Sequence, residues 1–141
     1  MNNYIVYLLT NTDPNNNCTY VGITNNSIQR LRKHNGEICC GAKYTTSKGS
    51  GWKHMCIVSG FNTKIESMQF EWAIKHVAPR KAGGIKNRIK KLYILLNKER
   101  WTSKAPLSNI VPLHIKWLIN PYDYLNDCDM DCPEYITQEY I

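Results

Sequence analysis

The side chains best suited to chemistry on a charged, proton-exchanging substrate gather around one short stretch. Thr19-Tyr20-Val21-Gly22-Ile23 reads as an apolar strand running into a glycine, and the polar turn Thr24 to Ser27 leads into a helix that carries Arg30 and His34. Positions i and i+4 share a helical face, which brings the guanidinium and the imidazole to the same side. Tyr20 shares a strand face with Gly22, where the missing side chain leaves room for a substrate to approach. A phenol, a guanidinium and an imidazole then converge. Guanidinium grips an oxyanion through forked N–H donors, while imidazole and phenol hold or exchange protons. Glu71 lies between Phe70 and Trp72 in a later helix, an unusual setting for a carboxylate that merely solvates a surface.

The elements that must position these groups follow from local pattern. Tyr4 to Leu9 is apolar at every position, as expected of a central strand covered on both faces. Dense turn chemistry from Asn11 to Asn17 returns the chain as a hairpin, Cys18 to Ile23, which makes Tyr7 and Tyr20 neighbours. The first helix is expected from Ser27 to about Asn35, with Ile28 and Leu31 toward the core and Gly36 as its stop. Residues 41–51 form a glycine-, lysine- and hydroxyl-rich loop that lacks the GxxxxGK[ST] pattern of a nucleotide cradle. Its lysines and backbone N–H groups suit phosphate contacts. Trp52 to Ser59 reads as a third strand, and Thr63-Lys64-Ile65-Glu66 as a capping box opening a helix that ends before Pro79. Ile85, Ile89, Leu92 and Leu96 define an amphipathic helix with Lys86, Arg88, Lys90 and Lys91 on its wetter sides. Leu113 to Trp117 alternates like an edge strand, and no regular period is evident from Asn120 onward. These elements predict an α+β (mixed α/β) fold: a small central three-stranded antiparallel sheet flanked by helices, with a C-terminal helix and edge segment.

Length and charge narrow the function classes. At 141 residues and 43% hydrophobic content the chain is expected to be a soluble globular protein of one domain, with room for an appendage, and the apolar run Tyr4 to Leu9 is too short for a signal or membrane span. The six cysteines are irregularly spaced, without the CxxC pairs of a zinc site, and read as free thiols in a reducing compartment. All 18 Lys and Arg precede residue 121, beside only five acids, so that span carries +13; residues 121–141 hold the other six acids and carry −6. A basic body suits a polyanionic partner, most simply nucleic acid.

The ordered motifs resemble a known family. Ile5-Val6-Tyr7, Tyr20-Val21-Gly22, Arg30 with His34, and Glu71 are similar to the signature of the GIY-YIG nuclease domain. Arg30 to Glu37, Gly41-Ala42-Lys43 with Thr45, Trp52, Gly60-Phe61, Phe70-Glu71-Trp72-Ala73 and Val111 to Leu118 resemble more closely the Slx-type structure-specific endonuclease catalytic subunit. The resemblance covers roughly residues 4–119. Ile5 stands where the name motif has its first glycine, and the family's C-terminal RING-like zinc domain has no counterpart, so no zinc is expected and dependence on a scaffold partner does not carry over.

That resemblance implies a metal-dependent DNA endonuclease that hydrolyses phosphodiester bonds near branch points, in flaps and four-way junctions. Glu71 would hold one divalent cation, Mg²⁺ or Mn²⁺, with water and phosphate oxygens completing the shell. Arg30 would hold the scissile phosphate, Tyr7 or Tyr20 would position the attacking water or take its proton, and His34 would relay that proton or bind phosphate. Each residue also has a plain structural use: an i,i+4 pair of Glu71 with Lys75, a solvated Arg30, strand packing for the tyrosines, and a helix-dipole partner in His34. Arg32, Lys33, Lys43, Thr45, Lys48, Lys53, Lys86 and Lys90 are the expected DNA contacts. The partner would be branched DNA, with a homodimer as one route to paired cuts in a four-way junction. The expected location is intracellular, in the nucleus or at a cytoplasmic viral replication site. The expected division is a nuclease core over 1–82, a connecting helix and C-terminal segment over 83–119, and an acidic tail over 120–141. The competing readings are a catalytically weak nucleic-acid-binding module of the same fold and a zinc-dependent interaction protein.

Overall fold

The computed structural model describes residues 2–39, 41–126 and 131–140. Strands β1 (Ile5–Asn11) and β2 (Tyr20–Thr24) pair antiparallel, with Tyr7 opposite Gly22 and Leu9 opposite Tyr20. Helix α1 (Ser27–His34) and the short α2 (Lys43–Ser47) precede β3 (Trp52–Ser59), which pairs antiparallel with the other side of β1 through an irregularity between Leu8 and Leu9. Helices α3 (Lys64–Lys75) and α4 (Ile85–Leu96) follow, then β4 (His114–Trp117) and β5 (Thr137–Tyr140). The sheet order is β2-β1-β3-β4-β5, antiparallel except where β5 runs parallel to β4. No helix among the described residues is long and apolar enough to cross a membrane.

The continuous apolar run of β1 is explained by burial on both faces. Val6 and Leu8 enter the main core with Phe70, Ile74, Ile89, Leu92 and Trp117, whereas Tyr7 and Leu9 pack on the opposite face with Trp52 and Leu31. That second face holds the site. Local caps set the helices that border it. Asn26 accepts from the Gln29 N–H at 3.1 Å to start α1, and Thr63 accepts from the Glu66 N–H at 3.1 Å to start α3. The Glu66 carboxylate reaches back to the Asn62 N–H, one residue beyond the usual capping-box position.

The sheet is larger than the three antiparallel strands expected. β4 is interior, because β5, drawn from a segment with no legible period, covers its outer edge. Gln138 ties that edge down by accepting from the Trp117 indole at 2.8 Å and the Tyr93 hydroxyl at 2.6 Å. Two other placements depart from expectation. Ile28 is exposed, so only Leu31 of the expected α1 pair packs inward. Lys91 is buried, its ammonium donating to the carbonyls of Ala82 at 2.8 Å and Arg80 at 3.3 Å, so the aliphatic stem packs in α4 while the charge caps the preceding turn.

Candidate active site

Four elements bring the site together. β1 supplies Tyr7, β2 supplies Tyr20, and α1 supplies Arg30 and His34; the ring centroids of Tyr7 and Tyr20 lie 6.3 Å apart, and those of Tyr20 and His34 4.8 Å. Glu71 comes from α3, which packs against β2 and β1. Gly22 is the hinge of this arrangement. A Cβ there would meet the Tyr7 hydroxyl and stand 2.6 Å from its Cζ, so the space left by the glycine is filled by the Tyr7 phenol and is not open to substrate as its position in the strand suggested.

The polar network is directional. Thr45 donates its hydroxyl hydrogen to the Ala42 carbonyl at 3.1 Å, so its oxygen is left to accept from His34 Nδ1 at 2.6 Å. His34 is thereby the Nδ1–H tautomer, and its Nε2 accepts the Tyr7 O–H at 2.7 Å. Arg30 donates to the hydroxyls of both Tyr7 and Tyr20. The Tyr7 oxygen therefore gives its proton toward His34 and offers its lone pairs to Arg30 and to whatever lies beside it.

Burial sets the proton affinities. Burial pushes Tyr7 up to about 12, with the Arg30 hydrogen bond opposing it, and raises Tyr20 for the same reason. His34 is only 1% exposed; burial, then the charges of Arg30 and His54, bring it down to about 4. It is neutral at pH 7. The Glu71 charge raises both tyrosines, which places its carboxylate within electrostatic reach of them.

Glu71 also makes the i,i+4 pair with Lys75, at 3.6 Å. Its carboxylate is partly exposed and is a hard oxygen donor of the kind that suits Mg²⁺ or Mn²⁺, ions that take one or two carboxylates and fill the remaining positions with water and phosphate oxygens. A single glutamate beside a guanidinium and two phenols fits that pattern. Among the described residues no group of three or more His, Cys, Asp or Glu side chains is placed to hold a metal ion. Cys40 and Cys128, two of the six cysteines, lie outside the described residues.

Of the expected DNA contacts, Arg32, Lys43, Lys48, Lys53 and Lys86 are exposed and Lys33 and Lys90 half-buried. Thr45 departs from expectation: it is fully buried and spent on His34, so it orients the imidazole and does not face a ligand. Residues that sequence reasoning left out also border the site. His54 of β3 stands edge-on to Tyr7, 6.0 Å between centroids, and Tyr44 of α2 stacks on Tyr20 at 6.3 Å and 24°. His54 is placed by the β1–β3 register, which shifts between Leu8 and Leu9, and Tyr44 by a helix too short to read from sequence.

Residues 3–82 match the model of the GIY-YIG catalytic domain. This chain belongs to the GIY-YIG family. Among the proteins it resembles is the structure-specific endonuclease subunit SLX1 homolog 1 of Trypanosoma cruzi, 41% identical over 92 residues that cover 63% of this chain and 17% of that protein. The structure-specific endonuclease subunit slx1 of Schizosaccharomyces japonicus is 45% identical over 73 residues, 52% of this chain and 26% of that protein. The subunit SLX1 of Cryptococcus neoformans is 45% identical over 71 residues, 50% of this chain and 14% of that protein. The matched stretch thus spans about a quarter or less of those relatives. Tyr7, Tyr20, Arg30, His34 and Glu71 all fall within the segment matched by the GIY-YIG domain.

Proposed function

We propose that this GIY-YIG chain is a metal-dependent DNA endonuclease that cuts one strand near branch points. The observation that carries the reading is the Tyr7 hydroxyl, which is hydrogen-bonded to neutral His34 and to Arg30 at the same time. Arg30 grips the scissile phosphate through its fork of N–H donors and stabilises the charge that grows on it during attack. A water lying against the Tyr7 oxygen donates its hydrogen there as the Tyr7 proton passes to His34 Nε2. The resulting hydroxide oxygen bonds to phosphorus, the bond from phosphorus to the 3′ oxygen breaks, and the leaving oxygen takes a proton from solvent. His34 is the proton's destination. Its affinity is held low partly by the Arg30 charge, and a phosphate seated on Arg30 offsets that charge and raises it. Thr45 holds the imidazole in the tautomer this transfer needs, and Tyr20 holds the other side of the guanidinium. Glu71 is the residue that would hold a divalent cation, Mg²⁺ or Mn²⁺, whose role when bound is to neutralise phosphate charge and stabilise the leaving oxygen.

Selectivity for branched DNA is supported by the position of the basic groups. α2, with Lys43 and with Lys48 just past its end, and α4, with Lys86 and Lys90, both border Tyr20, through Tyr44 and Arg88 respectively. Two duplex arms can be held on these elements while the strand between them enters the site, with contacts to phosphates and not to base edges. One site per chain means that a four-way junction needs two successive cuts or a second protomer. The relatives are named as subunits, so a partner chain is a further component to test for. Labelled flap and four-way-junction substrates, incubated with Mg²⁺, Mn²⁺ or EDTA, test the reading. Cleavage abolished by EDTA is expected; binding without cleavage in any metal selects the module that keeps the fold without turnover.

A further inference from the structure

A cleft of about 310 Å³ opens beside Tyr20, lined by Thr19, Tyr20, Val21, Tyr44, Lys75 and Arg88. No acidic side chain is among these residues. Arg88 is anchored there by its Nε, which donates to Thr19 Oγ1 at 3.1 Å, while its Nη1 is buried and meets no hydrogen-bond partner among the described residues. A guanidinium N–H held out of water without an acceptor is costly, and the cost is recovered when the side chain turns toward the cleft and a ligand oxygen meets it. Burial disfavours the Arg88 charge, with the neighbouring Tyr44 opposing it. Lys75 stands across the cleft with its ammonium 5.6 Å from the centre of the Tyr20 ring.

We propose that this cleft seats a second phosphate of the cut strand, the one adjoining the scissile linkage, held by Arg88 and Lys75. The inference rests on the nuclease reading, since Tyr20 is the shared wall: its hydroxyl meets Arg30 on the reacting side, and its ring lines the cleft. An occupant must therefore continue directly into the group that Arg30 holds, which a phosphodiester chain does and a free anion does not. The neighbouring rings of Tyr20 and Tyr44 give the adjoining sugar an apolar surface. With two consecutive phosphates fixed on separate cations, the strand is held in one direction through the site. Arg88 is thus a binding and positioning residue, outside the set first read as DNA contacts.

The test uses the full chain, a flap substrate in EDTA so that binding is read without cutting, and single uncharged methylphosphonate linkages placed one at a time along the cut strand. For the unaltered protein, one linkage adjoining the scissile phosphate is expected to weaken binding about tenfold, the loss of one charge-assisted contact. Arg88→Met is expected to weaken binding to unmodified DNA by a similar factor, to lower the salt slope by about one, and to be much less sensitive to that same linkage. Lys75→Met, at an exposed position that spares the packing around Arg88, is expected to show part of the same loss. Equal sensitivity to the neutral linkage in the unaltered protein and in both variants, or no sensitive linkage beside the scissile one, overturns the assignment. Absence of any cleavage by the unaltered protein with Mg²⁺ or Mn²⁺ instead overturns the nuclease reading, and the cleft's role with it.

Discussion

Gly22→Ala is expected to disable the site without replacing any group that exchanges protons or meets phosphate. The added methyl would sit 2.6 Å from Tyr7 Cζ and closer still to its hydroxyl. Ordinary carbon contacts need about 3.5 Å, so the phenol must retreat by about 1 Å. The hydroxyl is 2.7 Å from His34 Nε2, and a retreat of that size takes it beyond hydrogen-bond length. Misplacement on this scale costs on the order of 10²-fold in rate. Overpacking the second face of β1 costs about 1–3 kcal/mol of stability, because Tyr7 is buried between β2, His34 and His54 and has little room to yield. Single-turnover cleavage of a 5′ flap measures the rate, and thermal unfolding measures the stability. The informative comparison is a double-mutant cycle with Tyr7→Phe, which removes the hydroxyl and leaves the ring. If glycine matters by seating that hydroxyl, Gly22→Ala adds little further rate loss in the Tyr7→Phe background. Full activity in Gly22→Ala, or strictly additive losses, would refute the reasoning.

Arg30→Ala and Glu71→Gln are each expected to lower cleavage by on the order of 10²–10³ or more while the fold is retained, judged by circular dichroism and by junction binding; full activity in either displaces that residue from the site. His34, held near 4 against an ordinary value of about 6.5, takes up its proton in the unfolded chain first as pH falls. Its contribution is complete above pH 6.5 and is lost between 6.5 and 4, on the order of 3 kcal/mol, so urea unfolding at pH 7.5 and 4.5 should show a smaller difference in His34→Gln than in the unaltered protein. Removing residues 121–141 deletes buried Leu125 and Ile136 together with β5, and a fall in stability of several kcal/mol is expected. An unchanged melting temperature would show the acidic segment to be dispensable to the fold.

What could be read from sequence was whatever local chemistry determines. Thr63 starts its helix through a bond to the backbone N–H three residues on, and the unbroken apolar run of β1 announces burial on both faces. The convergence of Tyr7, Tyr20, Arg30 and His34 followed from the hairpin and the i,i+4 spacing. The misses share a cause in contacts distant along the chain. β5 has no period of its own, and pairing with β4 and the two hydrogen bonds to Gln138 hold it in place. Thr45 looked like a surface hydroxyl in a basic loop because nothing in residues 41–51 reveals His34 behind it. Lys91 and Arg88 belong by type to the wet side of α4, yet loop carbonyls draw one inward and Thr19 the other.

The most direct test of the central claim is the initial cleavage rate of the purified chain on a 5′ flap, a four-way junction and an intact duplex of the same sequence, with Mg²⁺ or Mn²⁺ and with EDTA. The account predicts metal-dependent cutting of the branched substrates well above that of the duplex, and its loss in Tyr7→Phe and Arg30→Ala. Equal rates on all three substrates would remove the branch selectivity, and cutting that survives in EDTA or in Arg30→Ala would contradict the site itself.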